Sequence, residues 1–277
     1  MRRAFYFIAT NAAVMAVASV IILLLPAEIR ANHGIFMVIA AVKGIGGAWF
    51  SLMRSKQGAK RDAGVYVIES PRNETEDWLL TTVHRQAQAA GIGLPEVGIF
   101  DSPQMNAFAT GAKRDDALVA VSSGLLQQMT REEVEAVTGH EVAHIANGDM
   151  VTMALIQGVL NTFVLIFARM LAMFLDRGGS GGRMGYYIGF MVGQAGFGFL
   201  ASIVVAFFSR QREFRADEGG ADYASTQKMI AALQKLQQGQ AAPLPKQLNA
   251  FGISSGLKGL FRTHPPLEVR IQALEQR

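Results

Sequence analysis

Four long apolar runs constrain this chain more than any other feature. Ala4–Leu25 carries no charge, Gly34–Met53 carries only Lys43, Val151–Leu175 only Arg169, and Gly185–Phe208 none. At ~1.5 Å of rise per helical residue, the 22 residues of the first run reach about 33 Å, enough for a hydrocarbon core ~30 Å thick. Each run therefore reads as a transmembrane helix. Arg2 and Arg3 raise the alternative of a cleaved signal peptide, but a signal's apolar region is ~7–15 residues and this one is longer. For the third and fourth runs the alternative is a buried helix pair on a soluble domain. Their lengths of 25 and 24 residues favour crossing.

Composition agrees. The chain is 50% hydrophobic over 277 residues, and 29 glycines come on top of that. Lys43 costs ~2.5–3.5 kcal/mol at the centre of a span, so it either marks a polar path or faces a helix partner or water. Gly44, Gly46 and Gly47, and the Gly185/Gly189/Gly193 stripe, would let neighbouring helices approach closely. Basic residues gather on one side of the runs: Arg2 and Arg3, Arg54 to Arg61, and Arg210 to Arg215. The bias of such residues toward the cytoplasm predicts that both termini and residues 54–150 are cytoplasmic. The net charge of +4 is modest, and no nucleic-acid partner is expected from it. Without cysteine there is neither a disulfide nor a thiolate metal site, which fits a reducing compartment.

The polar stretches read as an α+β, mostly helical domain. "NETEDWLLTTVHRQAQAAG" opens on an Asn73/Glu76 capping box and stops at Gly91. "EVGIF" is a strand, and "NAFAT" and "ALVAV" flank "GAKRDD" as a hairpin. "TREEVEAVTGHEVAHIAN" has a second capping box, Thr130/Glu133, and places Val134, Val137, Val142 and Ile145 on one side of a helix. After Phe208 comes a helix interrupted near Gly219 and Gly220, then a loop, then a closing helix from "PPLEVR".

His140, Glu141 and His144 form an H-E-x-x-H pattern on the second of these helices. Residues four apart stack on one helical face, so both imidazoles can reach one ion, with Glu141 placed as the base that deprotonates a water. A chance cluster on a solvated face is the alternative. Catalytic zinc takes three protein ligands, and the third must be His, Glu or Asp. If the helix continues past His144, that residue sits ~10 Å above the membrane, and Glu213, five residues beyond the fourth run, sits at a similar height. Glu213 is therefore the candidate ligand. Asp217, one turn on, is the candidate partner for a ligand histidine's free N–H. The competing reading of "SRQREFRADE" is a charge run that anchors the fourth helix to anionic lipid.

"HEVAH", "EFRAD" after an apolar hairpin, and "RTHPPLEVR", together with "PQMNAFATG", resemble the HtpX-type membrane metalloproteases over essentially the whole chain. These are zinc endopeptidases of the bacterial inner membrane, related to the zinc-dependent CAAX prenyl proteases. The resemblance implies a gluzincin-like domain with a small sheet. It implies one Zn2+ on His140, His144 and Glu213, Glu141 as base, and Asp217 behind the ligands. It implies a cleft lined by Met105–Gly111, including Asn106, Ala107, Phe108 and Ala109. The implied substrates are misfolded or damaged membrane proteins cut on the cytoplasmic side. Further copies of the chain, or other quality-control proteases, are candidate partners.

His264 would either donate to the oxyanion or act as a capping or packing residue, while Arg262 and Arg270 either help by charge or, the favoured reading, are surface residues. "NAFAT" or "ALVAV" could be the sheet edge that takes substrate as an added strand, unless both are internal. The expected division is 1–53, two amino-terminal spans; 54–150, the part with H-E-x-x-H; 151–208, a membrane hairpin; and 209–277, the part with the third ligand. A membrane scaffold with an incidental motif would concentrate polar residues inside the spans, whereas here they lie at the rims. A prenyl-protein protease would need a larger enclosed chamber than four spans build.

Overall fold

A computed structural model describes residues 39–40, 42–176, 182–239 and 263–277. The first apolar run, the start of the second, most of the glycine-rich connector, Arg262 and all but Gly239 of the loop read at 239–261 lie outside the described residues. The described chain forms two compact units, one from residues up to Phe50 with Ala154–Val204, the other from Ser51–Met153 with Val205–Arg277.

The second unit holds a four-stranded sheet. Helix α1 (Gly47–Asp62) runs on past Met53, where the second span was expected to end, and leads to a two-residue strand β1 (Tyr66–Val67) that sequence periodicity is too short to show. Helix α2 (Glu74–Ala89) starts on Asn73, whose side chain accepts from the Glu76 N–H. The Glu76 carboxylate reaches back to the N–H of Arg72 rather than that of Asn73, so the expected box closes one residue early. Strands β2 (Glu96–Phe100), β3 (Ala107–Lys113) and β4 (Asp116–Ser122) follow, with sheet order β1-β2-β4-β3.

β3 and β4 are the antiparallel hairpin read from the sequence, and β2 lies parallel to β4. β4 is thus interior, and of the two candidate edges only β3 is one. Leu118 and Ala120 of β4 join Phe100, Phe108 and Ala59 of α1 in one core cluster. By the two-residue alternation of a strand, Val119 and Val121 point to the other face, where helix α4 (Arg131–Asn147) packs on β3 and β4 after a short α3 (Ser123–Gln128). A sheet covered on both faces explains why "DALVAVS" is nearly all buried.

Helix α4 begins on the expected Thr130/Glu133 box. Its apolar residues do not form one stripe: from Ala136 to Ala146 every residue is buried, because α2, β3, β4 and α7 (Thr226–Gln238) surround it. It ends at Gly148, whose φ of 71° lies in the left-handed region. Helix α4 therefore closes at Asn147, the last residue of the helical segment read from the sequence, and a new helix α5 (Asp149–Asp176) begins.

Helix α6 (Gly182–Tyr223) is 42 residues long and shows no interruption at Gly219 and Gly220. The expected break is absent because the glycines are used for contact: a Cβ on Gly219 would stand 2.5 Å from the Cβ of Ala143. Helix α8 (Leu267–Glu275) closes the chain.

In the first unit, α5 and α6 pack through the small residues singled out above. A Cβ on Gly193 would lie 2.6 Å from the Cα of Ala168. Gly44, in a π-turn over Val42–Gly46, presses on Thr162, while Gly46 and Gly47 make no such contact. Among the described residues, two of the four expected spans, α5 and α6, are helices long and apolar enough to cross a membrane; the first run and the start of the second lie outside those residues. Along α6, Tyr187, Ile188, Met191, Val192, Phe199 and Leu200 stay exposed, a surface suited to hydrocarbon rather than water.

Candidate metal centre

The geometry of α4 puts His140 and His144 one turn apart with ring centroids 4.6 Å from each other and planes at 88°. Helix α6 brings Glu213 between them. Nε2 of His140 lies 3.5 Å from Oε2 of Glu213, and Nε2 of His144 lies 3.5 Å from Oε1. These separations exceed a normal N–H···O hydrogen bond of ~2.7–3.2 Å. They match the edge of a coordination tetrahedron instead: ligand atoms ~2.0–2.2 Å from one ion stand about 3.3–3.6 Å apart.

All three residues are buried, and their ligand atoms fall within 4.8 Å of one another. His140 Nε2 and Oε1 of Glu213 have no hydrogen-bond partner among the described residues, while Oε2 of Glu213 faces Nδ1 of His264 at 2.7 Å. Buried polar atoms left in that state are costly, and a cation would satisfy all of them together. The residues fit a divalent metal.

The other ring nitrogens are tied down. His140 Nδ1–H donates to Asp217 (2.9 Å), and His144 Nδ1–H donates to Asp149 (2.7 Å). Each Nε2 is thereby left as the free lone pair. Asp217 in turn receives a two-pronged bond from Arg270, at 2.7 Å from Nε and 2.5 Å from Nη2. Burial alone would raise the Asp217 pKa and lower that of Arg270, but each holds the other charged, so the shifts run the opposite way. Burial likewise works against a charged His144, yet the Glu213 carboxylate overrides it and pushes the metal-free ring up to about 9.

Arg270 was read as a surface residue; it is fully buried beneath the site. Sequence reasoning missed it because a nine-residue helix with an arginine gives no sign of what lies under it. Asp149 was missed too, although the glycine just before it was a readable helix stop.

Glu141 is buried with both oxygens unpartnered among the described residues. Burial pushes its pKa up, against the pull of His140 and His144. His264 enters just ahead of α8 and places Nδ1 2.7 Å from Oε2 of Glu213. It does not cap the helix, since Pro266 holds that position without a side-chain bond. Asn106 precedes β3 and accepts the Ala107 N–H on its own side chain. Ala107, Phe108 and Ala109 are buried in the edge strand that packs on α4.

A buried helix bearing two histidines and a glutamate, met by a carboxylate from a second helix, defines a metallopeptidase. A match to Peptidase family M48 spans residues 73–277. The chain is 54% identical over 277 residues to Protease HtpX of Stenotrophomonas maltophilia (strain R551-3), covering 97% of this chain and 96% of that protein. It is 53% identical over 291 residues to Protease HtpX of Thioalkalivibrio sulfidiphilus (strain HL-EbGR7), covering 99% of each. The crystal structure of S. mikatae Ste24p superposes with a TM-score of 0.60 at 17% identity, over 99% of this chain and 67% of that one, a likeness of fold. The chain belongs to peptidase family M48, among its HtpX-type membrane metalloproteases.

Proposed function

We propose that the chain is an integral-membrane zinc endopeptidase that cuts misfolded or damaged membrane proteins on the cytoplasmic side. The observation that carries this reading is the pair of 3.5 Å gaps between Glu213 and the two imidazoles, where His140 Nε2 and Oε1 of Glu213 are buried without hydrogen-bond partners among the described residues.

His140, His144 and Glu213 hold the metal, which when bound polarises the scissile carbonyl and acidifies a water. Glu141 takes the proton of the attacking water and returns it to the leaving amine, and its burial pushes the carboxyl pKa up. Asp217, clamped by Arg270, keeps His140 in the tautomer that leaves Nε2 free. His264 Nε2 is buried without a partner among the described residues; with Nδ1–H turned to Glu213, it donates to the oxyanion only when the ring carries both protons.

Substrate enters as a strand added to β3, beginning at Asn106–Ala109. Backbone hydrogen bonds then supply affinity with little demand on sequence, which suits damaged proteins of many kinds.

The test uses purified full-length protein in detergent. Bound zinc and cleavage of an unfolded model protein are measured for the native chain and for Glu141→Gln. Cleavage should fall by about 10²–10⁴-fold in the variant while zinc is retained. A native protein that holds no metal and cuts nothing would end this reading and favour the scaffold.

A further inference from the structure

We infer that Asp149, backed by Arg215, is a positioning residue for the metal centre: it fixes the ring of His144 from the side opposite the Asp217–Arg270 clamp on His140. The inference rests on the metal reading above.

The two ligand histidines are held by parallel His–Asp–Arg chains that differ in their access to water. On the His140 side, Asp217 and Arg270 are both buried and joined by two short hydrogen bonds. On the His144 side, the Asp149 carboxylate is 3% exposed and accepts the Nδ1–H at 2.7 Å, while its other oxygen lies 3.6 Å from Nη2 of Arg215. The Arg215 side chain is 61% exposed, so the second chain ends in solvent.

The chain's path explains how Asp149 comes to this place. In an unbroken helix, a residue five positions after His144 would lie about 140° around the axis from it. The left-handed turn at Gly148 breaks α4 there, and the first residue of α5 swings its carboxylate back onto the imidazole. The Gly148 N–H meanwhile reaches the carbonyls of His144 and Ile145, closing the turn tightly beneath the ring.

Two consequences follow from this asymmetry. Removing the carboxylate charge at either aspartate should weaken metal binding, because a carboxylate behind a ligating imidazole raises its basicity and fixes its orientation. Removing the terminal arginine should matter differently: an exposed pair is screened by salt and a buried one is not.

The experiment titrates metal-stripped, full-length protein in detergent with Zn2+ against a chromogenic chelator, at about 50 mM and about 500 mM salt. Asp149→Asn, which keeps the side-chain shape, should bind Zn2+ about 10–100-fold more weakly than the native chain at both salt concentrations. Arg215→Gln should bind about two- to fivefold more weakly at low salt, with the gap closing at high salt. Arg215→Lys should restore part of the loss, and Asp217→Asn should weaken binding with no salt dependence.

Native affinity in Asp149→Asn overturns the inference, and so does native affinity in Arg215→Gln at low salt. If Asp149→Asn fails to give a cooperative melt, the Arg215 variants decide, because that side chain is exposed and its replacement leaves the core intact. A native chain that binds no Zn2+ fails the metal reading itself, which is a distinct result.

Discussion

Arg270 shows how much of this site is built from charge placed where water cannot reach. Its guanidinium is fully buried, forked on Asp217 and 3.7 Å from Glu213. Removing one partner of such a pair leaves an uncompensated charge, and the cost is about 3–5 kcal/mol. Arg270→Met should therefore lower the thermal midpoint of the metal-loaded protein by several degrees, measured by a dye-independent melt in detergent. Arg270→Lys should recover less than half of that loss, because an ammonium keeps the charge but not the fork. A melt unchanged in Arg270→Met would mean the pair contributes nothing to folding. No local rule flags this residue: an arginine among Glu268, Val269 and Ile271 has the pattern of an ordinary amphipathic helix. His140 and His144 were legible for the opposite reason, since a spacing of four on a helix decides their common face without reference to the rest of the fold.

Elements are joined by a second kind of charge cluster at the surface. Lys56 of α1 lies 3.0 Å from Glu96 of β2 and bonds Asp116 of β4, while Lys60 bonds Glu96 as well. Burial opposes ionisation of Glu96, but the bonds from Lys60 and Lys56 win and hold its pKa below the ordinary 4.5. The bond from Lys56 does the same for Asp116, below the ordinary 3.8. Groups shifted down contribute stability above their unfolded values and lose it as pH falls through the folded ones. Lys56→Met should therefore cost about 0.5–1 kcal/mol near neutral pH, modest because the acids are partly exposed. The difference from the native chain should vanish toward pH 3, followed by urea denaturation in detergent. A loss that persists there would assign the effect to packing of the lysine stem. At the same scale, the uninterrupted α6 was hidden from sequence reasoning. A glycine pair lowers helix propensity, and only the closeness of Ala143 shows why the helix keeps it.

For the whole molecule, the metal and the membrane are the two outside agents. A metal that binds only the folded state stabilises it by about 4 kcal/mol at a thousandfold excess over its dissociation constant. Chelation should lower the melting midpoint of the native chain and Zn2+ should restore it, whereas Glu213→Gln should melt at nearly the same temperature with and without chelator. A native midpoint indifferent to chelator would separate the centre from folding. Orientation is open to direct labelling because the chain contains no cysteine. Ser180→Cys, in the connector between α5 and α6, should react with a membrane-impermeant maleimide in intact spheroplasts. Glu69→Cys, exposed in the unit that holds the metal centre, should react only after lysis. The reverse pattern would place the chemistry outside the cytoplasm.

The amino-acid order alone determined what is local or statistical: apolar runs long enough to span, a capped helix with two stacked imidazoles, and a hairpin about "GAKRDD". Tertiary packing decided which acid meets which nitrogen. Asp149 reaches His144 where a left-handed glycine ends one helix and the next begins. Glu213 and Asp217 stand opposite His144 and His140 while α6 lies flush on α4 where Gly219 has no side chain. Periodicity encodes neighbours three or four residues apart. Contacts across 53 or 69 positions depend on how closely two helix backbones can approach, which side-chain volume at the crossing sets.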